Sequence, residues 1–479
     1  MVASRGGARL LLSGCVAATL SACSDLPSGP VIGGRPLSPL PPGGSTIASL
    51  GAHAAAWLDH LKAVPGFAGM YYDGNEDLVV LLKDTAQKQA AAARFARLVG
   101  QSRRPLQFTS LRRSPQIRFA PAARDYGELV TIKESAFENL IATNTVTSVG
   151  IDEAKNVVQI GVRDRASAGL VARRLADAKI APGAVSIVVE APAHSLSDFD
   201  STHSIRFPII GGWRLWFYGG PCGMATVRFG ANDTPGLLTA RHCTRADGSP
   251  PLSLGDSVLE MSHDLSGHAT IGVLYDTAAT YPCGNASCLD ADVALIRLNS
   301  GLPFWLGGVV SGPSVAIGPY CGLPFNACIP GNYYADPYND PVAYDPQLDS
   351  ATDHGPYQVD AEQTTTAPVG TWVSKFGPTT GWTIGKISIA AQDRLSDKGY
   401  WVKNAVVVSA GVSAGDSGSP AITADGNVRG GNNGAIFMGL VYAGDSMTTI
   451  NGNPVFRRFV YSPWTQITKA LAGYSIHAY

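Results

Sequence analysis

Gly415-Asp416-Ser417-Gly418-Ser419-Pro420 sets a serine in a tight glycine turn. A serine hydroxyl is a weak nucleophile at neutral pH and needs a base within hydrogen-bond reach. Two stretches upstream supply the partners. Leu238-Thr239-Ala240-Arg241-His242-Cys243 puts a histidine after a β-type run, and Asp290-Ala291-Asp292-Val293-Ala294-Leu295-Ile296 puts an acid at the head of an apolar strand. Histidine can take the serine proton and return it to a leaving group. A carboxylate holds the imidazole in the useful tautomer and stabilises the imidazolium. Asp292 fits that task better than Asp290, because Val-Ala-Leu follows it directly. The glycines around Ser417 allow a sharp turn, so the N–H groups of Gly415 and Ser417 can aim at a developing oxyanion.

Each motif alone is modest; their order carries more. His242, Asp292 and Ser417 follow one another at spacings of 50 and 125 residues. A serine-first arrangement is excluded in practice, since His477 is the only histidine after Ser417 and sits two residues from the end. Residues 207–479 alternate glycine and aromatic residues with short β-branched runs, which predicts an all-β barrel or sandwich.

Residues 47–206 read differently. Leu78-Val79-Val80-Leu81-Leu82-Lys83-Asp84 precedes an alanine-rich run from Thr85 to Leu98. About eighty residues later, Asn156-Val157-Val158-Gln159-Ile160-Gly161-Val162-Arg163-Asp164 precedes a second helical run, Arg165 to Lys179. Each copy predicts turn, strand and capped helix, so this region is a two-lobed α+β unit.

The chain has 479 residues and a net charge of −1, with charged residues at only 15%. Such sparse charge argues against nucleic-acid partners, which need clustered Lys and Arg. The N-terminus reads as a targeting segment: Arg5 and Arg9, then a short apolar run to Leu20, then Leu20-Ser21-Ala22-Cys23. That ending predicts signal residues 1–22 and a lipid on Cys23. An ordinary cleaved signal is the alternative, and export follows from either. Residues 23–46 are a Pro/Gly/Ser-rich tether. Leaving aside Cys15 and Cys23, six cysteines stand in three sequence-local pairs: Cys222 and Cys243, Cys283 and Cys288, Cys321 and Cys328. In an exported chain they read as disulfides. Zinc is the rival, but no histidine lies at finger spacing.

Residues 207–479 resemble a chymotrypsin-type serine endopeptidase, and most closely its bacterial streptogrisin and α-lytic branch. Ile209-Ile210-Gly211-Gly212 resembles the mature start of that family, ten residues before Cys222. Lys375-Phe376-Gly377-Pro378-Thr379-Thr380-Gly381 resembles its second-barrel hairpin, and Leu440-Val441-Tyr442-Ala443-Gly444 the strand that pairs with a bound peptide. Residues 47–206 resemble a streptogrisin-type pro-region, with Asp152, Asn156 and Val158 in its pattern. The resemblance implies two six-stranded antiparallel β-barrels, a Cys222–Cys243 disulfide, and an acyl-enzyme mechanism without cofactor or metal. It also implies a pro-region that templates folding, inhibits, and is removed near Arg206–Ile209. The opposite charges of the two parts fit their docking: 20 basic and 17 acidic residues in 24–206, against 14 and 20 in 207–479.

Ser419 replaces the second glycine usual after the nucleophile. Tyr442 stands where the family carries a small hydroxyl residue beside the catalytic Asp, which predicts a changed hydrogen bond to Asp292. Gly411, six residues before Ser417, argues against a buried acid at the pocket base, and Val412 and Ala414 predict an apolar or mid-sized pocket. Tyr442, Ala443 and Gly444 complete the expected substrate-binding set. The insertion 303–365 reads as a disulfide-pinned surface loop; Asp336, Asp340, Asp345 and Asp349 lack EF-hand spacing. The expected partners are peptide or protein substrates, the chain's own pro-region, and a membrane reached through Cys23. Two other functions use the same residues: a binding protein on a protease scaffold, or an esterase.

Overall fold

A computed structural model describes residues 66–101, 116–195, 209–309 and 357–478, each with short breaks. Cys23, the tether, Arg206, Trp213, the side chain of Trp216, Cys321, Cys328 and the four insertion aspartates lie outside the described residues.

The N-terminal lobes share one plan. In the first, β1 (Phe67–Tyr72) and β2 (Leu78–Leu82) form an antiparallel hairpin. A helix, α1 (Lys88–Gln101), then leads to β3 (Ile117–Pro121), which lies parallel to β2. The helix α2 (Tyr126–Leu140) comes next, opened by Asp125 and Glu128 in a reciprocal capping box. The second lobe repeats the first: hairpin β4 (Val146–Asp152) and β5 (Val157–Val162), helix α3 (Arg165–Asp177), then β6 (Val185–Val189) parallel to β5. Asp84 and Asp164 both accept backbone N–H groups at their helical starts, as the repeat predicts. A short strand, β7 (His194–Ser195), ends this region.

Two β units follow. The first runs through β8 (Ile209–Gly211), β9 (Leu215–Phe217), β10 (Gly220–Cys222), β11 (Ala225–Phe229), β12 (Thr234–Thr239), β13 (Ser257–Met261), β14 (His268–Thr277), β15 (Tyr281–Cys283), β16 (Ala286–Leu289) and β17 (Ala294–Leu298). Seven of these and the C-terminal strand make one antiparallel sheet, ordered β10-β9-β13-β14-β17-β12-β11 before Ile476–His477. β18 (Phe304–Val309) and β19 (Tyr357–Glu362) connect to the second unit. There β20 (Trp372–Gly377), β21 (Gly381–Leu395), β22 (Tyr400–Val408), β23 (Pro420–Arg429), β24 (Asn432–Ile450) and β25 (Asn453–Pro463) pair in a closed ring. Its ladders run β20–β21–β22–β25–β24–β23 and back to β20, all antiparallel. That is a closed six-stranded barrel, although β21 and β24 also pair outside the ring, with β4 and with β7 and β19. In the first unit the ladder does not close among the described residues.

The second lobe is hydrogen-bonded to this barrel. Gln392, Asp393 and Arg394 of β21 pair with Gly150, Val149 and Ser148 of β4. One apolar core spans the junction: Phe137 meets Trp401 edge-on at 5.2 Å, among Leu129, Ile151, Ile160 and Cys288. Lys133 of α2 is buried there against Asp393 at 3.1 Å and Asn404 at 2.8 Å. Desolvation on this scale is sustained only with such partners. Disulfides Cys222–Cys243 and Cys283–Cys288 are formed, the first tying β10 to the turn that carries His242.

Candidate active site

The serine turn is fixed from below by charge. Asp416 is fully buried and meets the buried Lys375 ammonium at 3.0 Å. Its carboxylate also accepts the N–H groups of Thr379 and Thr380, the Thr380 hydroxyl and the Ser413 N–H. The hairpin around Lys375 to Gly381 thus locks the residue next to Ser417. Gly415 and Gly418 take φ of 93° and 86°, which disfavours side chains. At Gly418 the restriction is also spatial, because an added Cβ would lie 2.1 Å from the Gly223 carbonyl oxygen.

His242 sits on a short helical turn, Arg241–Thr244, at the end of β12. Asp292 precedes β17, which pairs with β12. That pairing brings the two side chains together across 50 residues of sequence. Asp292 Oδ2 lies 2.9 Å from His242 Nδ1, and Oδ1 accepts the His242 backbone N–H at 3.0 Å. Asp290 does not share this place: its carboxylate accepts from Tyr281 and Lys469 near the surface. Asp292 is wholly buried, which raises its carboxyl pKa. Its bonds to His242 and to the Tyr400 hydroxyl outweigh that and hold it below the ordinary value.

Ser417 and His242 are both buried, at 0% and 2% exposure, and the serine turn is tied toward the histidine turn through Gly223, whose N–H donates to Ser417 O and which follows Cys222, the disulfide partner of Cys243. The Ser417 hydroxyl donates to the Tyr442 carbonyl at 3.0 Å. Among the described residues His242 Nε2 has no hydrogen-bond partner.

Among the described residues Tyr442 makes no hydrogen bond to Asp292, and its buried hydroxyl has no hydrogen-bond partner. Two other groups serve the acid. The Tyr400 hydroxyl donates to Asp292 Oδ2 at 2.7 Å, and the Asp292 N–H donates to Ser462 Oγ at 3.1 Å. Burial and the Asp292 charge drive the Tyr400 hydroxyl well above its ordinary pKa, so it stays a donor. The Arg241 guanidinium lies 5.9 Å above its ring. Tyr400 was missed in the sequence because it stands 108 residues from Asp292 in a strand where aromatics are ordinary core.

Ala443 and Gly444 lie on β24, and β7 occupies that edge. Ser195 pairs with Ala443 and His194 with Gly444, antiparallel. The Ala193 N–H donates to Leu395 O at 3.0 Å, and Asp397 donates back to Ala193 O. The wall beyond is apolar: Val412 bridges Phe456, in one cluster with Val441 and Phe459. The His194 ring stacks on Phe456 at 5.5 Å. Ala414 and Gly411 are buried nearby in the serine loop. Ser419 packs its Oγ between Gly223 and Gly377, where a Cβ on either would approach it within 2.7 Å.

No family model and no curated protein matches the chain. Solved structures similar to it include a Nocardiopsis protease, at 20% identity and TM-score 0.33, covering 56% of this chain and 98% of that one. Thermobifida fusca protease A matches at 19% and 0.32, over 57% and 99%. Cellulomonas bogoriensis chymotrypsin matches at 18% and 0.30, over 57% and 98%. These neighbours are chymotrypsin-like serine proteases. Among the described residues no cluster of three or more His, Cys, Asp or Glu could hold a metal ion.

Proposed function

We propose that this chain is an exported serine endopeptidase made as a zymogen, with His242, Asp292 and Ser417 as its catalytic triad. The observation that carries the reading is the buried Asp292–His242 pair, taken with the buried Ser417 turn and a strand edge already filled by a backbone of the same chain. A peptide would add to β24 as β7 does, through main-chain hydrogen bonds. Ser417 would leave the Tyr442 carbonyl and pass its proton to His242 Nε2 while its oxygen attacks the substrate carbonyl. Asp292, held by Tyr400, steadies the imidazolium. The N–H groups of Gly415 and Ser417 are the proposed oxyanion donors. His242 then protonates the leaving amine, and water resolves the acyl-enzyme by the reverse route.

In this reading residues 47–206 are the pro-region, and β7 blocks the substrate edge until it departs. The apolar wall of Val412, Val441, Phe456 and Phe459 favours uncharged side chains beside the scissile bond. Residues 1–22 are the signal, and Cys23 carries a lipid that tethers the protein to a membrane. Mass spectrometry of the full chain after a fluorophosphonate probe tests the chemistry: a single adduct on Ser417 supports it. A Ser417 that stays unreactive in a chain freed of residues 190–195 would mark a binding protein on the same scaffold. Comparing peptide and simple ester turnover separates a peptidase from an esterase.

A further inference from the structure

At the far end of the peptide-pairing edge lies a second polar site that catalysis does not use. Asp445 follows Gly444 on β24 and pairs across the sheet with Arg458 on β25. The Arg458 Nε meets Asp445 Oδ1 at 2.5 Å. Arg394, from β21, is completely buried and meets Asp445 Oδ2 at 3.0 Å. Two guanidinium groups, Arg394 wholly buried and Arg458 partly so, thus share one carboxylate of the barrel, leaving a surplus positive charge. The second carboxylate comes from the N-terminal lobe. Glu190 Oε1 lies 2.9 Å from Arg394 and 2.6 Å from Arg458, and its Oε2 accepts the Ser148 hydroxyl at 2.5 Å. Burial raises the Glu190 carboxyl pKa, but the two arginines reverse this and hold it at about 2.

The charge count closes only with a donated acid, and the donor belongs to the segment that runs on into β7. A buried guanidinium such as that of Arg394, short of an anion, is strongly unfavourable, and planar guanidinium forks suit carboxylates. We propose that Arg394 and Arg458, with Asp445 between them, form a carboxylate-binding subsite of the barrel. Glu190 fills it in the uncleaved chain. When that segment leaves, the subsite takes an acidic side chain of a bound peptide. A chain following the same path presents that side chain four residues before the one paired with Gly444. The consequence for substrates rests on the peptidase reading; the subsite itself does not.

Glu190→Ala in the full chain deletes a methylene and a carboxylate, which is the volume and charge of acetate. Its unfolding midpoint should fall below that of the parent. Sodium acetate should restore the midpoint saturably, while sodium chloride at equal ionic strength should not. Adding Arg458→Gln should abolish the restoration. Acetate acting no better than chloride on a variant with native circular dichroism overturns the proposal. If the alanine variant does not accumulate, Glu190→Asp and Glu190→Gln decide: a charge-reading site keeps the higher midpoint with Asp, and the reverse order refutes it. With peptide turnover, a substrate carrying Glu at that place should show a KM about tenfold below its Gln counterpart, and the gap should vanish in Arg458→Gln. Equal KM values in the parent refute the substrate role. Fluorophosphonate labelling of Ser417 in the same samples reports on the peptidase reading separately.

Discussion

Tyr400→Phe removes one oxygen atom from the support of the candidate triad and leaves the ring in place. The hydroxyl donates at 2.7 Å to the Asp292 oxygen that also faces His242 Nδ1. Both residues are buried, so no water stands ready to replace it. Hydrogen bonds to charged groups contribute about 1.5–3 kcal/mol. If a loss of about 2 kcal/mol appears in the transition state, where the imidazolium leans on Asp292, the rate falls about 30-fold. The assay is the second-order rate of fluorophosphonate inactivation, or kcat/KM on a peptide. Folding is followed separately by thermal unfolding, since the bond also stabilises the ground state. The drop should lie in kcat rather than KM, because Tyr400 meets Asp292 and not the β24 edge. A Phe variant within twofold of the parent would refute the claim that Tyr400 positions the acid.

Tyr442→Phe is the matching control: its hydroxyl has no hydrogen-bond partner, so the rate should stay within about twofold and stability should not fall, as kinetics and melting will report. Lys375→Met strands the Asp416 carboxylate inside the barrel; thermal or urea unfolding should register a loss of about 3–5 kcal/mol. Glu362 gives a pH signature. Burial raises its carboxyl to about 7, against bonds from Ala478 N–H and Trp464 that lower it. Its folded pKa thus exceeds its unfolded value, so its contribution is whole below about pH 4.5 and is lost as pH rises through about 7. Melting curves should find Glu362→Gln close to the parent at pH 4 and more stable by roughly 2 kcal/mol at pH 8.

The stretches of the candidate site were legible because each announces itself locally. A glycine turn around Ser417, a histidine closing an apolar strand and an acid opening another can be read without a fold. The repeat was legible for the same reason: Asp84 and Asp164 each stand before a helical run, and both cap it. Asp125 and Glu128 carried an equally local signal for α2 that the repeat overshadowed. What stayed hidden depends on contacts distant in sequence. Tyr400 reaches Asp292, Lys133 reaches Asp393 across 260 residues, and Glu190 reaches Arg458 across 268. A buried ion pair leaves no mark on either strand beyond a charged residue in an apolar run. Tyr442 shows the converse: its position predicted a changed hydrogen bond to Asp292, and the groups that serve the acid, Tyr400 and Ser462, stand elsewhere in the sequence.

The central claim is that Ser417 is a nucleophile activated by His242. Peptide mapping after reaction with a fluorophosphonate tests it most directly, on the full chain and on Ser417→Ala and His242→Ala variants of intact fold. The account predicts one stoichiometric adduct on Ser417 in the parent and none in either variant. An unlabelled Ser417 in a parent chain freed of residues 190–195, or undiminished labelling in His242→Ala, would contradict it.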